Sequence, residues 1–132
     1  MNLILGDCIE EMAKLESNSV DLTITSPPYD NLRSYSGKDG DWNEEIWKSC
    51  IKSIFSITKE GGAFVWIVSD ATVKGSETGT SFKQALYAMS CGFYLHDTMI
   101  WAKPTFSAVG ALKVRYASVF EYMFVFSKGK IK

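Results

Sequence analysis

Six residues, Thr25-Ser26-Pro27-Pro28-Tyr29-Asp30, constrain this chain more than any other stretch. Their approach, Val20-Asp21-Leu22-Thr23-Ile24-Thr25, is rich in β-branched residues and predicts a short strand. Two consecutive prolines then remove two backbone donors and hold φ near −65°, so neither a central strand nor a helix can continue through them. Pro28 also drives Pro27 towards an extended conformation. The strand must therefore end in a stiff ledge, with the Ser26 hydroxyl on one side and the Tyr29 ring at its tip.

A planar base needs an aromatic face to stack on, an interaction worth about 1–3 kcal/mol. Its exocyclic amine needs acceptors. A hydroxyl and a prolyl carbonyl supply them without a competing backbone N–H. The bland alternative is a Pro-Pro loop closing a strand, with Tyr29 as a surface aromatic. The ordered series of strand, hydroxyl, Pro-Pro and aromatic is more specific than Pro-Pro-Tyr alone.

Around the ledge, strands and helices alternate. Leu3-Ile4-Leu5 reads as a short strand, and Cys8 to Leu15 as a helix with Cys8, Met12 and Leu15 on one face and Asp7 as N-cap. Asp41 is expected to open a longer helix, with Ile46, Trp47, Cys50, Ile51, Ile54 and Phe55 as its apolar stripe. Glu44, three residues on, suits a capping box, and Lys59-Glu60-Gly61-Gly62 is the expected stop. Ala63 to Val68 is a continuous apolar run, the pattern of a parallel strand buried on both faces. Asp70 follows it, at the strand end where ligands lie in doubly wound sheets, or as a simple cap. Ala71 to Gly79 reads as a polar loop, and Thr80 or Ser81 as the cap of a helix over 82–90 that stops at Gly92. Phe93 to Lys103 and Ser118 to Ser127 complete the set as two strands, antiparallel across the segment 105–117. Glu121 is the only charge in the last strand and is expected to be paired. His96, the only histidine, has no nucleophile beside it and reads as structural.

The whole predicts one domain: a three-layer Rossmann-like α/β sheet, mostly parallel, with an antiparallel strand pair at its C-terminal edge. At 46% hydrophobic and 22% charged residues the composition is that of a globular chain. Cys8, Cys50 and Cys91 are odd in number and widely spaced, which points to neither a metal site nor a disulfide framework. No apolar run reaches the 18 residues of a membrane span, so a cytoplasmic setting without a membrane partner is expected. Charge is unevenly placed. Residues 1–100 carry eight Lys/Arg against fourteen Asp/Glu, and residues 101–132 carry six against one. A basic end suits phosphate, and a solvated tail has the same composition.

Thr25 to Tyr29 resembles the Ser-Pro-Pro-Tyr catalytic motif of the DNA amino-methyltransferases, which methylate cytosine N4 or adenine N6 with S-adenosylmethionine. The Ser form resembles the cytosine-N4 branch more than the adenine branch. Gly61-Gly62 with the strand after them, Ile100-Trp101-Ala102-Lys103, and Phe120 to Gly129 resemble further elements of that family, so the likeness spans nearly all 132 residues. The resemblance implies Ser26, Pro27, Pro28 and Tyr29 as catalytic residues. It places Asp7, Thr25 and Ser26 beside S-adenosylmethionine, with double-stranded DNA as substrate and no metal. Arg33 and Tyr35, in the polar loop 30–40, and Lys113 and Arg115, in the basic segment, are the candidate DNA contacts.

One departure stands out. The family's Phe-x-Gly-x-Gly cofactor loop matches none of the glycines here, and no target-recognition region is recognisable. In the class that this order resembles, both follow the catalytic half. The expectation is a catalytic half over residues 1–132, an incomplete fold whose other half was removed, was lost, or is supplied by further sequence, a second chain or a homodimer partner. A non-catalytic nucleic-acid-binding or assembly remnant is the alternative from another class. Methylation of RNA or protein amides, which uses related Pro-Pro-aromatic ledges, is a third.

Overall fold

The computed structural model describes residues 1–30, 42–105 and 115–130. Chain order is α1 (Cys8–Met12), β1 (Val20–Thr25), α2 (Glu44–Ile57), β2 (Thr58–Val68), β3 (Thr72–Val73), β4 (Ser76–Glu77), α3 (Thr80–Ser90), β5 (Tyr94–Ala102) and β6 (Phe120–Ser127). The main sheet has the order β1-β2-β6-β5, and β3 and β4 form a separate hairpin. β1 runs parallel to β2, while β6 is antiparallel to both β2 and β5. Three strands thus share one direction and β6 alone is reversed, as a mostly parallel sheet with an antiparallel C-terminal pair requires.

The stripe expected on α2 is its buried face: Trp47, Cys50, Ile51 and Ile54 lie in the core. Its cap is Asn43, whose side-chain oxygen accepts from Glu45 N at 3.0 Å and Ile46 N at 3.1 Å. Asp41, the expected cap, lies outside the described residues. At the other end α2 turns directly into β2. Thr58 donates its hydroxyl to Ile54 O at 2.6 Å, and the chain leaves the helix already extended. Lys59 to Gly62 therefore belong to β2 and are not a loop. The parallel ladder shifts register between Val20 and Leu22, which pair with Thr58 and Ala63, and Lys59 to Gly62 bulge out between them. Gly61 has φ of 80°, and a Cβ on Gly62 would lie 2.9 Å from Lys59 O and 3.0 Å from Asp21 O. Only glycine fits so close to a neighbouring backbone.

β2 carries the core. Phe64, Trp66 and Val68 are buried and alternate with half-buried neighbours, so one face of the strand is sealed and the other is not. The expectation of burial on both faces fails because α2 and α3 both pack on the same side of the sheet. Phe64 stacks on Phe126 of β6 with ring centroids 5.4 Å apart and also meets Phe93 at 5.3 Å. Trp66 donates its indole N–H to the Gln84 side-chain oxygen of α3 at 2.8 Å, which satisfies both buried polar groups.

The opposite face is largely apolar, with Glu121 and Asp97 as its charges, and no helix covers it among the described residues. Register pairs Leu22 with Ala63 and Ile24 with Val65, then Val65 with Val125 and Ile67 with Met123, and Met99 with Met123, so these side chains share that face. Leu22 is 52% exposed and Ile24 62%. Leu3 to Leu5, expected as a strand, has no regular structure and is exposed. A strand requires a partner for its ladder, and residues 3–5 pair with no strand of the described sheet.

Two substitutions report this asymmetry. Phe64→Ala should cost about 3–5 kcal/mol in chemical denaturation. Leu22→Ala, on the uncovered face, should cost less than about 1 kcal/mol. Equal losses would mean that the core does not lie on one side of the sheet.

Candidate active site

Strand direction assembles one sheet edge. The carboxyl ends of β1, β2 and β5 meet the amino end of β6, because Thr25 pairs with Trp66, Val68 with Tyr122, and Ala102 with Phe120. Ser26 to Tyr29 emerge there from β1. Pro27 is buried and anchors the ledge, Ser26 is exposed, and Pro28 and Tyr29 are half-buried, with Tyr29 packed on the core cluster. The prolines fix the backbone locally, and the Tyr29 ring is held by tertiary contact.

A continuous polar chain crosses this edge. Ser26 Oγ lies 2.8 Å from Tyr29 Oη, and Tyr29 Oη donates to Glu121 Oε2 at 2.6 Å. Glu121 Oε1 is paired with Lys103 Nζ at 2.5 Å. Glu121 is only 7% exposed. Burial raises its pKa, yet the hydrogen bonds from Lys103 and Tyr29 and the lysine charge outweigh burial, so the net shift is downward. The pairing expected for Glu121 is present. Its place in the site was missed, although a lone acid at the start of an apolar strand was the signal available.

Asp30 closes the ledge with φ of 45°. Its Oδ2 accepts from Ala71 N at 3.2 Å and Thr78 Oγ1 at 2.7 Å, which ties the ledge to the β3–β4 hairpin. Asp70 accepts from Ser81 N at 2.9 Å and Ser81 Oγ at 2.5 Å. It caps α3 from outside the helix, as the cap reading of Asp70 has it, and this replaces the expected Thr80 or Ser81 cap. The cap position itself is Gly79, which has no side chain to offer. Asp30 also borders a cavity of about 240 Å³ that is lined by Trp42, Asn43, Trp47, Thr80 and Lys83 among others.

Asp7 caps α1, its Oδ1 accepting from Ile9 N at 2.9 Å and Glu10 N at 3.1 Å. Both bonds fall on one oxygen. Thr25 ends β1 half-buried beside Trp66. Arg115 donates its guanidinium to Gly75 O and, at 3.5 Å, to Thr72 Oγ1, so it lies against the hairpin. Arg33, Tyr35 and Lys113 lie outside the described residues. His96 sits half-exposed at the register shift of β5, with Nε2 3.6 Å from Asp97 Oδ2, away from the polar chain. No group of three or more His, Cys, Asp or Glu suited to a metal occurs among the described residues, and no helix among them is long and apolar enough to cross a membrane.

The sequence profile of the DNA methylases of the N6/N4 type matches residues 20–132. The chain belongs to the DNA methylase family. It is 49% identical over 128 residues to the orphan methyltransferase M.BamHII of Bacillus amyloliquefaciens, covering 97% of this chain and 42% of that protein. It is 24% identical to the type II methyltransferase M.SmaI of Serratia marcescens, covering 97% of this chain and 56% of that one. Among solved structures, the cytosine-N4-specific PvuII DNA methyltransferase superposes with a TM-score of 0.78 at 22% identity, covering 96% of this chain and 48% of its own. M1.HpyAVI in complex with SAM superposes at 0.61 and 18% identity, covering 94% and 51%. These structural likenesses establish the methyltransferase fold. The chain spans about half the length of M.BamHII and M.SmaI.

The polar chain has a pH signature. A carboxylate whose pKa is lowered on folding stabilises the protein above the ordinary value near 4.5, and that contribution disappears as pH falls through the lowered value. Wild-type stability should therefore drop more steeply with acid below about 4.5 than that of Glu121→Gln, measured by urea denaturation across pH 3–7. Parallel profiles would remove Glu121 from the linkage.

Proposed function

We propose that this chain is the catalytic half of an S-adenosylmethionine-dependent methyltransferase acting on the exocyclic amine of a flipped base in double-stranded DNA, with cytosine N4 favoured over adenine N6. The observation that carries the reading is the ledge: an exposed Ser26 hydroxyl and a prolyl carbonyl beside a core-anchored Tyr29 ring. Membership of the DNA methylase family supports it. The preference for cytosine rests on Ser at position 26.

An exocyclic amine is a weak nucleophile because its lone pair is delocalised into the ring. Accepting its two hydrogens at Ser26 Oγ and the Pro27 carbonyl draws the nitrogen towards tetrahedral geometry and frees the lone pair. Stacking on Tyr29 offsets part of the few kcal/mol that extrusion costs. Bound S-adenosylmethionine supplies an electrophilic methyl carbon. The residues of this chain hold the amine in line with it, and alignment provides much of the rate gain. Asp7 and Thr25 lie on the cofactor side in this reading, and Asp7 Oδ2 is left for a further donor once Oδ1 has capped α1. The acceptor-rich ledge fits an amine better than an anion.

The remaining half of the fold lies on further sequence or a second chain, and it covers the apolar face of the sheet. Arg33, Tyr35, Lys113 and Arg115 are the DNA-contacting candidates. Arg115 reaches DNA only by leaving Gly75 and Thr72. A nucleic-acid-binding or assembly remnant is the second reading, favoured by that uncovered face alone.

The deciding experiment combines the protein, labelled S-adenosylmethionine and unmethylated DNA, followed by digestion and identification of the labelled nucleoside. Label on N4-methylcytosine is expected, and N6-methyladenine would correct the base. Ser26→Ala should lower the rate about 10- to 100-fold, and Tyr29→Ala should lose about 1–3 kcal/mol of stacking. A folded protein that binds cofactor yet labels no nucleoside would favour the remnant.

A further inference from the structure

We propose that Glu121 is a positioning residue that sets the polarity of the Ser26 hydroxyl through Tyr29, so that Ser26 presents its lone pairs to the incoming amine. This rests on the amine-methylation reading of the site.

Each link has only one sense. Glu121 accepts a charge-assisted bond from Lys103 Nζ on Oε1 and accepts the Tyr29 phenol on Oε2 at 2.6 Å. An ionised carboxylate has no proton to give, so the single Tyr29 hydroxyl proton points to Glu121. Tyr29 Oη can then meet Ser26 Oγ, 2.8 Å away, only as an acceptor. Ser26 must donate to it. Both Ser26 lone pairs are then left free of the Tyr29 contact, on an exposed residue, where an exocyclic amine brings only hydrogens.

A free serine hydroxyl rotates, and for part of the time it aims its own proton at the amine, which opposes the required contact. With the chain in place that rotamer is excluded without any proton transfer or covalent step. Lys103 comes from the end of β5 and Glu121 from the start of β6, so the antiparallel pair sets the chemical sense of a ledge built on β1. Glutamine at 121 removes the constraint. Its amide can donate to Tyr29 Oη, turn the phenol proton towards Ser26, and place a hydrogen on the lone pair that the amine needs.

The link can be read without turnover. With tyrosines labelled at 13Cζ, Tyr29 is identified among six resonances by its loss in Tyr29→Phe. That resonance should move upfield in Glu121→Gln as the phenol loses its carboxylate acceptor, while the other tyrosines stay in place. Ser26→Ala, a change at an exposed residue, should shift it from the other end of the chain and serves if Glu121→Gln folds poorly. An unmoved Tyr29 resonance in both variants overturns the proposal.

In the methyl-transfer assay, Glu121→Gln should lower kcat about tenfold with KM for DNA unchanged. In a Tyr29→Phe background the same change should have almost no further effect, because the link it acts through is already gone. Full multiplication of the two losses would show that Glu121 acts by another route and would overturn the proposal. Absence of methyl transfer by the wild type bears on the proposed function, whereas the Tyr29 resonance decides the link.

Discussion

Phe64, Trp66, Phe124 and Phe126 hold the two central strands against α2 and α3, and the sheet edge that carries Ser26 to Tyr29 takes its position from that contact. β2 and β6 are antiparallel, so this one aromatic layer fixes where the carboxyl end of β2 and the amino end of β6 stop. β1 is placed by its ladder to β2 and β5 by its ladder to β6. The ledge of Ser26 to Tyr29 and the Glu121–Lys103 pair are therefore brought together by side chains that belong to neither.

The same packing leaves the sheet one-sided. All the helical cover described lies over Phe64, Trp66 and Val68, and the face with Leu22, Ile24, Met99 and Trp101 has none. Such a large apolar surface is rarely left to water in a soluble monomer. The chain spans about half the length of M.BamHII and of the PvuII methyltransferase.

Signals carried by local sequence were legible. The β-branched run ending at Pro27-Pro28 gave β1 its observed bounds, the 3–4 residue spacing gave the buried face of α2, and the apolar alternation before Lys128 gave β6 and its antiparallel partner. Signals that depend on a distant partner misled. Leu3 to Leu5 has strand composition without a ladder to join. Lys59 to Gly62 looks like a break, but the neighbouring backbone at Asp21 and Lys128 draws it into a bulged strand. Asp70 rather than a local hydroxyl caps α3, since a cap depends on geometry in space and not on adjacency.

The order of residues in the chain was enough to place the ledge, its two prolines and its aromatic, because proline geometry is intrinsic to the residue and survives any context. The family likeness was legible for the same reason. The partner that Glu121 takes, the 2.8 Å contact between Ser26 and Tyr29 and the face left without helical cover among the described residues were decided only by the fold. Those depend on which residues far apart in sequence end at one edge, and that follows from register and packing across the whole sheet.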